Sequence, residues 1–328
     1  MNDRAEHDIE RPKQAPPEAK PFLFREFSEK TRQMHDMLES RARESGPREG
    51  VGPAVRFDDA RYDGCMVGAQ GKIFEAGTKY RDVEGVHPQD GHHERTNVKV
   101  LYVNGVITDV YQQERSMQRL ANETGASVVG LHNGTSGWFC DLTQYVDDKA
   151  GFGKNKAVDG ISQAIVESAK SGEALNIVAH SHGALETSRA MRQAARELHT
   201  EGYSDEQIKK SFHDNVSVTT VGGAAETFPE GPVVHHVINM SDFVPMTVGK
   251  GVDLLAPVAE QLNPVAGQES KDAETRQLLM KSLNVRAFDM NRGSSAKNHD
   301  FDDLYVKHLD ATWFKAGHHE GLGGGESR

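Results

Sequence analysis

The chain has 328 residues, 36% of them hydrophobic and 27% Asp, Glu, Lys or Arg, enough for one large domain or two ordinary ones with a sizeable core. Its 38 basic residues are outnumbered by 49 acidic ones, for a net charge of -11. With no basic stripe interleaved with aromatics, nucleic acid is not an expected partner, because duplex binding rests on clustered Lys and Arg against phosphates. Two cysteines, Cys65 and Cys140, are too few for a disulfide framework, and neither a CxxC nor a Cys/His metal spacing is present. Two free thiols are expected, with a Cys65–Cys140 pair as the alternative in an oxidising compartment.

Residues 1–50 are polar, charged and Pro-containing and read as a poorly ordered arm. Within it Phe24, Phe27, Met34, Met37 and Leu38 recur at helical spacing, which predicts an amphipathic helix over about 22–43. The first residues lack an apolar h-region, and no apolar run of about 20 residues could span a bilayer. The expectation is a chain made as a soluble cytoplasmic protein, with export by a route needing no cleavable signal left open. Residues 51–97 read as a small β-rich lead-in packed on the main domain. Over 54–82 the turn signals Asp63-Gly64 and Gln70-Gly71 predict a short meander.

From Val98 onward strands and helices alternate, the pattern of βαβ units and a mainly parallel sheet. Strands are predicted at Lys99–Val103, Ser127–Leu131, Leu175–Ala179, Val216–Val221, Val233–Asn239 and Val285–Phe288. Helices are predicted at Val110–Asn122, Asn155–Ser171 and Ala184–Leu198, with Gly172 as a stop signal. Asp300–Lys315 reads as a closing helix. The main domain is thus expected over 98–315, with a Gly-rich tail at 316–328.

The most specific signal is Ala179-His180-Ser181-His182-Gly183, lying between an apolar strand and a helix-forming segment. A serine on such a corner is held in a strained backbone conformation with its oxygen above the sheet. Strand and helix pass close there, so the positions two before and two after must be small, as Ala179 and Gly183 are. The alternative is a serine that only caps the following helix. His182 would supply one oxyanion-hole N–H from the helix N-terminus. His180 should point away from the serine into a packing role.

A serine nucleophile needs a general base, and the base an orienting carboxylate. On a strand–turn–helix elbow of this kind the order is Ser, then Asp or Glu, then His, after later strands. Asp242, in Met240-Ser241-Asp242-Phe243-Val244-Pro245, follows a predicted strand and is the candidate acid; Asp253 and Glu226 are weaker alternatives, and a turn-forming Asp is the plain reading. His299, in a loop after the last predicted strand, is the candidate base over His308, His318, His319, His235 and His236. The clusters His92-His93-Glu94 and His318-His319-Glu320 lack a complete zinc ligand pattern, so no metal is expected. The second oxyanion donor is placed in Asn104-Gly105-Val106, after the first core strand, from the N–H of Val106 or Asn104, with Gly105 letting the backbone approach the substrate. An ordinary Asn-Gly turn is the alternative.

The stretch from about Val98 to Leu309 resembles bacterial α/β-hydrolases of the lipase and esterase type. The resemblance rests on Val103-Asn104-Gly105, Ala179 to Gly183, Thr219-Thr220-Val221-Gly222-Gly223-Ala224, Asp242-Phe243-Val244-Pro245 and His299. Thr220-Val221-Gly222, then a strand and Asp-x-Val-Pro, is similar to the region before the acid in class 3 lipases. The resemblance implies an α/β-hydrolase fold, Ser181 as nucleophile, Asp242 as acid, His299 as base, and no cofactor. Ala179 in place of Gly, and Asn104-Gly105 where many lipases have His-Gly, leave the subfamily open. A looser similarity, on Tyr102 to Gly105, Gly130 to Thr135 and Ala179 to Ser181, is to phospholipase-like effectors that bacteria inject into rivals.

Two stretches are candidates for a lid or acyl groove: Thr135–Gly153 with Trp138 and Phe139, and Val248–Val265 with Val252, Leu255 and Leu262. Ordinary packing on the body is the alternative for both. Three readings therefore stand: a lipase or phospholipase touching a membrane surface transiently; an esterase or thioesterase on small soluble substrates; or a catalytically silent hydrolase-fold binding protein. The N-terminal arm is the candidate site for a cognate inhibitor or a secretion partner.

Overall fold

The computed structural model describes residues 59–106, 108–134, 155–225, 227–249 and 284–316. The N-terminal arm, the Thr135–Gly153 stretch, the second stretch from 250 onward and the tail after 316 lie outside the described residues. Strands and helices are numbered in chain order over the described part.

The strands are β1 (Met66–Val67), β2 (Ile73–Phe74), β3 (Lys99–Val103), β4 (Ser127–Leu131), β5 (Leu175–His180), β6 (Val216–Val221), β7 (Val233–Asn239) and β8 (Val285–Phe288). They form one sheet in the order β2-β1-β4-β3-β5-β6-β7-β8. β3 to β8 run parallel, and β1 pairs antiparallel with both β2 and β4. Short apolar runs such as Val100-Leu101-Tyr102-Val103 suit this role, because a parallel strand covered on both faces has no solvent side to mark with polar residues. The expected mainly parallel sheet flanked by helices is the one the chain adopts.

The helices are α1 (Val110–Thr124), α2 (Lys156–Ser171), α3 (His182–Thr200), α4 (Asp205–Asn215), α5 (Phe243–Val248) and α6 (Ser295–Asn298). On one face Leu101, Val103, Val129, Leu131, Ile177 and Ala179 meet Ile161 and Ile165 of α2, Met191 and Leu198 of α3, and Phe212 of α4. On the other, Val100, Tyr102, Val128 and Val178 meet Met117 and Leu120 of α1 together with Phe301, Tyr305 and Val306. Full burial of each such aliphatic side chain contributes roughly 1.5–3 kcal/mol. No helix among the described residues is long and apolar enough to cross a membrane.

Capping chemistry sets the helix ends. Asp109 and Gln112 form a capping box at the start of α1, and Gly125 closes it in the left-handed region at φ 76°. Asn155 caps α2 through Val158 N–H, and Gly172 ends it at φ 74°, as the predicted stop signal implied.

Two readings need correction. Asp300–Lys315 is not a closing helix: it holds short 3-10 turns at Tyr305–His308 and Ala311–Trp313. Its aspartates compete for the backbone, Asp300 accepting from Asp303 N–H and Asp310 from the Thr312 N–H and hydroxyl. α4 was not foreseen, although its Ser204–Gln207 capping box is a readable start signal. In the lead-in, Gln70 and Gly71 make the expected turn at φ 59° and 66°; β1 and β2 pair around it, and β1 extends the central sheet.

Candidate active site

The parallel strands end on one edge of the sheet, where ligand sites of such folds form. That edge gathers Asn104 after β3, His132 and Asn133 after β4, Ser181 after β5, Gly222 after β6, Asp242 after β7 and His299 after β8. Each lies one to eleven positions beyond its strand, so sheet register determines where their backbones stand.

Ser181 has φ 55° and ψ -122°, a conformation an L-residue adopts at a cost of about 1–3 kcal/mol. Backbone hydrogen bonds hold it: its N–H donates to Val221 O at 3.0 Å, and its carbonyl accepts from Ala184 and Ala224 N–H at 3.1 and 3.0 Å. Its side chain makes no capping bond to α3, so helix capping does not account for it. A Cβ on Gly183 would stand 2.7 Å from Val103 O and 2.9 Å from Asn104 O, a clash with rigid backbone that only glycine avoids. His182 opens α3, so its N–H belongs to the helix N-terminus.

Asn104-Gly105-Val106 stands beside the serine. The buried Asn104 amide donates to Gly105 O and Asn133 O, and its oxygen accepts from Asn133 N–H at 2.8 Å. Its side chain therefore braces the loop against the end of β4. A Cβ on Gly105 would lie 2.8 Å from Ser181 Cβ and 3.4 Å from its Oγ. The loop backbone at Gly105 therefore runs close beside the serine side chain.

Asp242 and His299 are both fully buried, and His299 Nδ1 donates to Asp242 Oδ2 at 2.6 Å. The phenol of Tyr305 donates to the same oxygen, also at 2.6 Å. Oδ1 accepts from Val244 N–H at 3.0 Å. Asn239 and Asn298 tie the two loops together: Asn239 Nδ2 donates to Asn298 O at 3.0 Å, and Asn298 Nδ2 to Ser241 O at 2.9 Å. A Cβ on Gly222 would touch Asp242 Oδ2 and the His299 ring at 3.1 Å, so a glycine at φ 53° makes room for the pair. His299 Nε2 is buried with no hydrogen-bond partner among the described residues. Among the described residues no hydrogen bond joins it to the Ser181 hydroxyl.

His180 packs behind this pair. Its ring centroid is 4.9 Å from that of His299 and 5.4 Å from that of Phe301, and its Nε2 lies 3.2 Å from His299 O. His235 stacks on Trp313 at 4.5 Å and His308 on Phe288 at 3.7 Å, while His236 bonds the Thr220 hydroxyl at 2.7 Å. Among the described residues no group of three or more His, Cys, Asp or Glu could hold a metal ion, and Cys65 is a buried free thiol. Trp138, Phe139, Cys140, Val252, Leu255, Leu262, His318, His319, Asp253 and Glu226 lie outside the described residues.

A second polar group adjoins the elbow. The Asn133 amide donates to His182 Nδ1 at 3.0 Å, and the fully buried Glu186, one turn along α3, accepts from Asn155 Nδ2 at 2.9 Å. Burial pushes the Glu186 carboxyl up to about 8, against the lowering effect of Asn155, and pushes the His182 imidazole down to about 3. Their 3.7 Å contact is therefore one between neutral groups at neutral pH, not an ion pair. His132 is likewise pushed down by burial, to about 4, and bonds Gln113 Oε1 at 2.7 Å.

Sequence reasoning missed Tyr305, Asn239, Asn298 and Glu186. Tyr305 sat in an expected helix, and the others lacked any motif; Glu186 could only have been flagged as an acid on the apolar side of α3.

No protein-family model and no curated protein matches the chain. Among solved structures it is similar to an esterase of Pyrobaculum calidifontis in a monoclinic crystal form, with a TM-score of 0.31, 14% identity and 84% of each chain covered.

Proposed function

We propose that the chain is a serine hydrolase of carboxylic esters, with Ser181 as nucleophile, His299 as general base and Asp242 as the orienting acid. The observation that carries this reading is the buried His299–Asp242 pair, on the same sheet edge as a serine held at φ 55°. With Nδ1 engaged by Asp242, the imidazole keeps Nε2 as the acceptor for the serine proton. Ser181 Oγ attacks the ester carbonyl as His299 takes its proton. The tetrahedral oxyanion is met by the N–H of His182 at the helix N-terminus and by one from the Asn104–Val106 loop. His299 then gives the proton to the leaving alcohol, and an acyl-enzyme forms; water, deprotonated by His299, releases the acid and restores Ser181.

For the substrate we infer a lipid acyl ester, cleaved as by a lipase or phospholipase during transient contact with a membrane surface. Support comes from the apolar stretches around Trp138 and Phe139 and around Val252, Leu255 and Leu262, and from the class 3 lipase-like motifs. The phospholipase-like motifs support a role as an effector against rival bacteria, with a cognate inhibitor as partner. A series of p-nitrophenyl esters of rising chain length, followed by phospholipid vesicles, tests the substrate. We expect activity to rise with acyl length and to extend to vesicles, and Ser181→Ala to abolish it. Activity confined to short soluble esters would replace the lipid reading with that of a small-substrate esterase or thioesterase.

A further inference from the structure

We propose that Tyr305 is a positioning residue for the Asp242–His299 pair: its phenol shares Asp242 Oδ2 with the imidazole and sets how strongly the carboxylate holds His299. The inference rests on the hydrolase reading and deepens it. Among the described residues Oδ2 receives two donors at 2.6 Å, one from His299 Nδ1 and one from Tyr305, while Oδ1 receives the Val244 N–H at 3.0 Å. Two short bonds to one oxygen divide its charge, so each weakens the other.

The phenol has one role open to it. Asn239 N–H donates to its oxygen at 3.0 Å, which occupies an acceptor site and directs the hydroxyl hydrogen to Asp242. Burial, reinforced by the neighbouring Asp242, holds the phenol well above its ordinary ionisation range, so it stays a donor. The ring cannot swing away: Phe288 lies edge-on at 5.4 Å and the His299 ring edge-on at 6.4 Å.

Its anchoring is long-range. Asp302, three residues earlier, bonds Arg115 Nε at 2.8 Å and the Ser116 hydroxyl at 2.6 Å on α1. Phe301 packs on Tyr102 at 4.9 Å. The 300–308 segment is thereby clamped beneath the sheet edge and delivers the phenol into the loop after β7. Acid and base come from separate loops, and Tyr305 is a third group that fixes the carboxylate at the oxygen facing the imidazole.

The test is Tyr305→Phe in the full chain, read by proton NMR at the low-field His299 Nδ1–H resonance, assigned by its loss in His299→Gln. With the competing donor gone, Oδ2 binds the imidazole alone, and the resonance is expected to move downfield. A folded variant whose resonance stays in place or moves upfield overturns the proposal. If Tyr305→Phe does not fold, wild-type chain grown with 3-fluorotyrosine serves instead: its more acidic phenol is a stronger donor and should move the resonance upfield, and no movement overturns the proposal. The readout does not depend on turnover, so a wild-type chain inert toward esters would sink the hydrolase reading and leave this test standing.

Discussion

Asp242→Asn is expected to lower kcat for ester hydrolysis roughly 10³–10⁴-fold, with the chain still folded but its melting temperature lowered, because a buried donor loses its acceptor. The asparagine is isosteric, and its one oxygen can still accept from Val244 N–H. Its amide nitrogen must then face His299 Nδ1 and the Tyr305 phenol, where the wild-type Oδ2 accepts from both. A donor opposite Nδ1 forces the imidazole into the tautomer with its proton on Nε2, and that nitrogen can no longer take the serine proton. Placing the amide the other way sets a donor against the Val244 N–H instead. Steady-state hydrolysis of a p-nitrophenyl ester beside a thermal melt separates this loss from unfolding. A variant within tenfold of wild type would remove Asp242 from the mechanism.

Glu186→Gln is expected to remove a loss of stability that the wild-type chain suffers between pH 6.5 and 8. The folded-state carboxyl, held at about 8 by burial against an ordinary 4.5, keeps its proton where the unfolded chain has shed it. Its contribution is therefore complete below pH 4.5 and disappears as pH rises to 8, at about 1.4 kcal/mol per pH unit. His182 and His132, held at about 3 and 4 against an ordinary 6.5, act in the opposite sense. They cost stability as pH falls through 6.5, where the unfolded chain takes up its protons first and is already half protonated at each imidazole. From pH 6.5 to 8 the acid outweighs the two histidines, whose remaining cost is relieved over the same window, and wild-type stability should fall by on the order of 1 kcal/mol. Glutamine keeps an oxygen for Asn155 and carries no charge, so its profile should show no fall over that window. Urea unfolding at pH 6.5 and pH 8 measures both; an equal fall in the two proteins would show that Glu186 does not carry the effect.

The sheet was legible because each parallel strand is a short run rich in β-branched and apolar residues between polar turns. Ser127–Leu131, Val216–Val221, Val233–Asn239 and Val285–Phe288 match their predicted limits for that reason. The elbow was legible because steric crowding leaves a local mark: Gly183 faces two carbonyl oxygens within 3 Å, and small residues at fixed offsets record that. Asp242 and His299 could be selected by chain order and strand position, though no local pattern says that they touch. Periodicity misled where side chains outcompete the backbone. Leu304, Val306 and Leu309 suggested a helix face, yet the aspartates around them capture N–H groups and leave 3-10 turns. What stayed hidden was the long-range polar bracing. Tyr305 lies 63 positions from Asp242, and Glu186 31 positions from Asn155. Such pairs leave no trace in spacing, since tertiary structure alone brings them together.

The central claim, that Ser181 is a nucleophile activated at this sheet edge, is tested most directly by covalent capture. The chain is treated with a fluorophosphonate probe and the adduct mapped by peptide mass spectrometry. The expected result is one probe equivalent on Ser181, absent from Ser181→Ala and strongly slowed in His299→Ala. A wild-type chain that takes up no probe, or takes it up equally in Ser181→Ala, would contradict it.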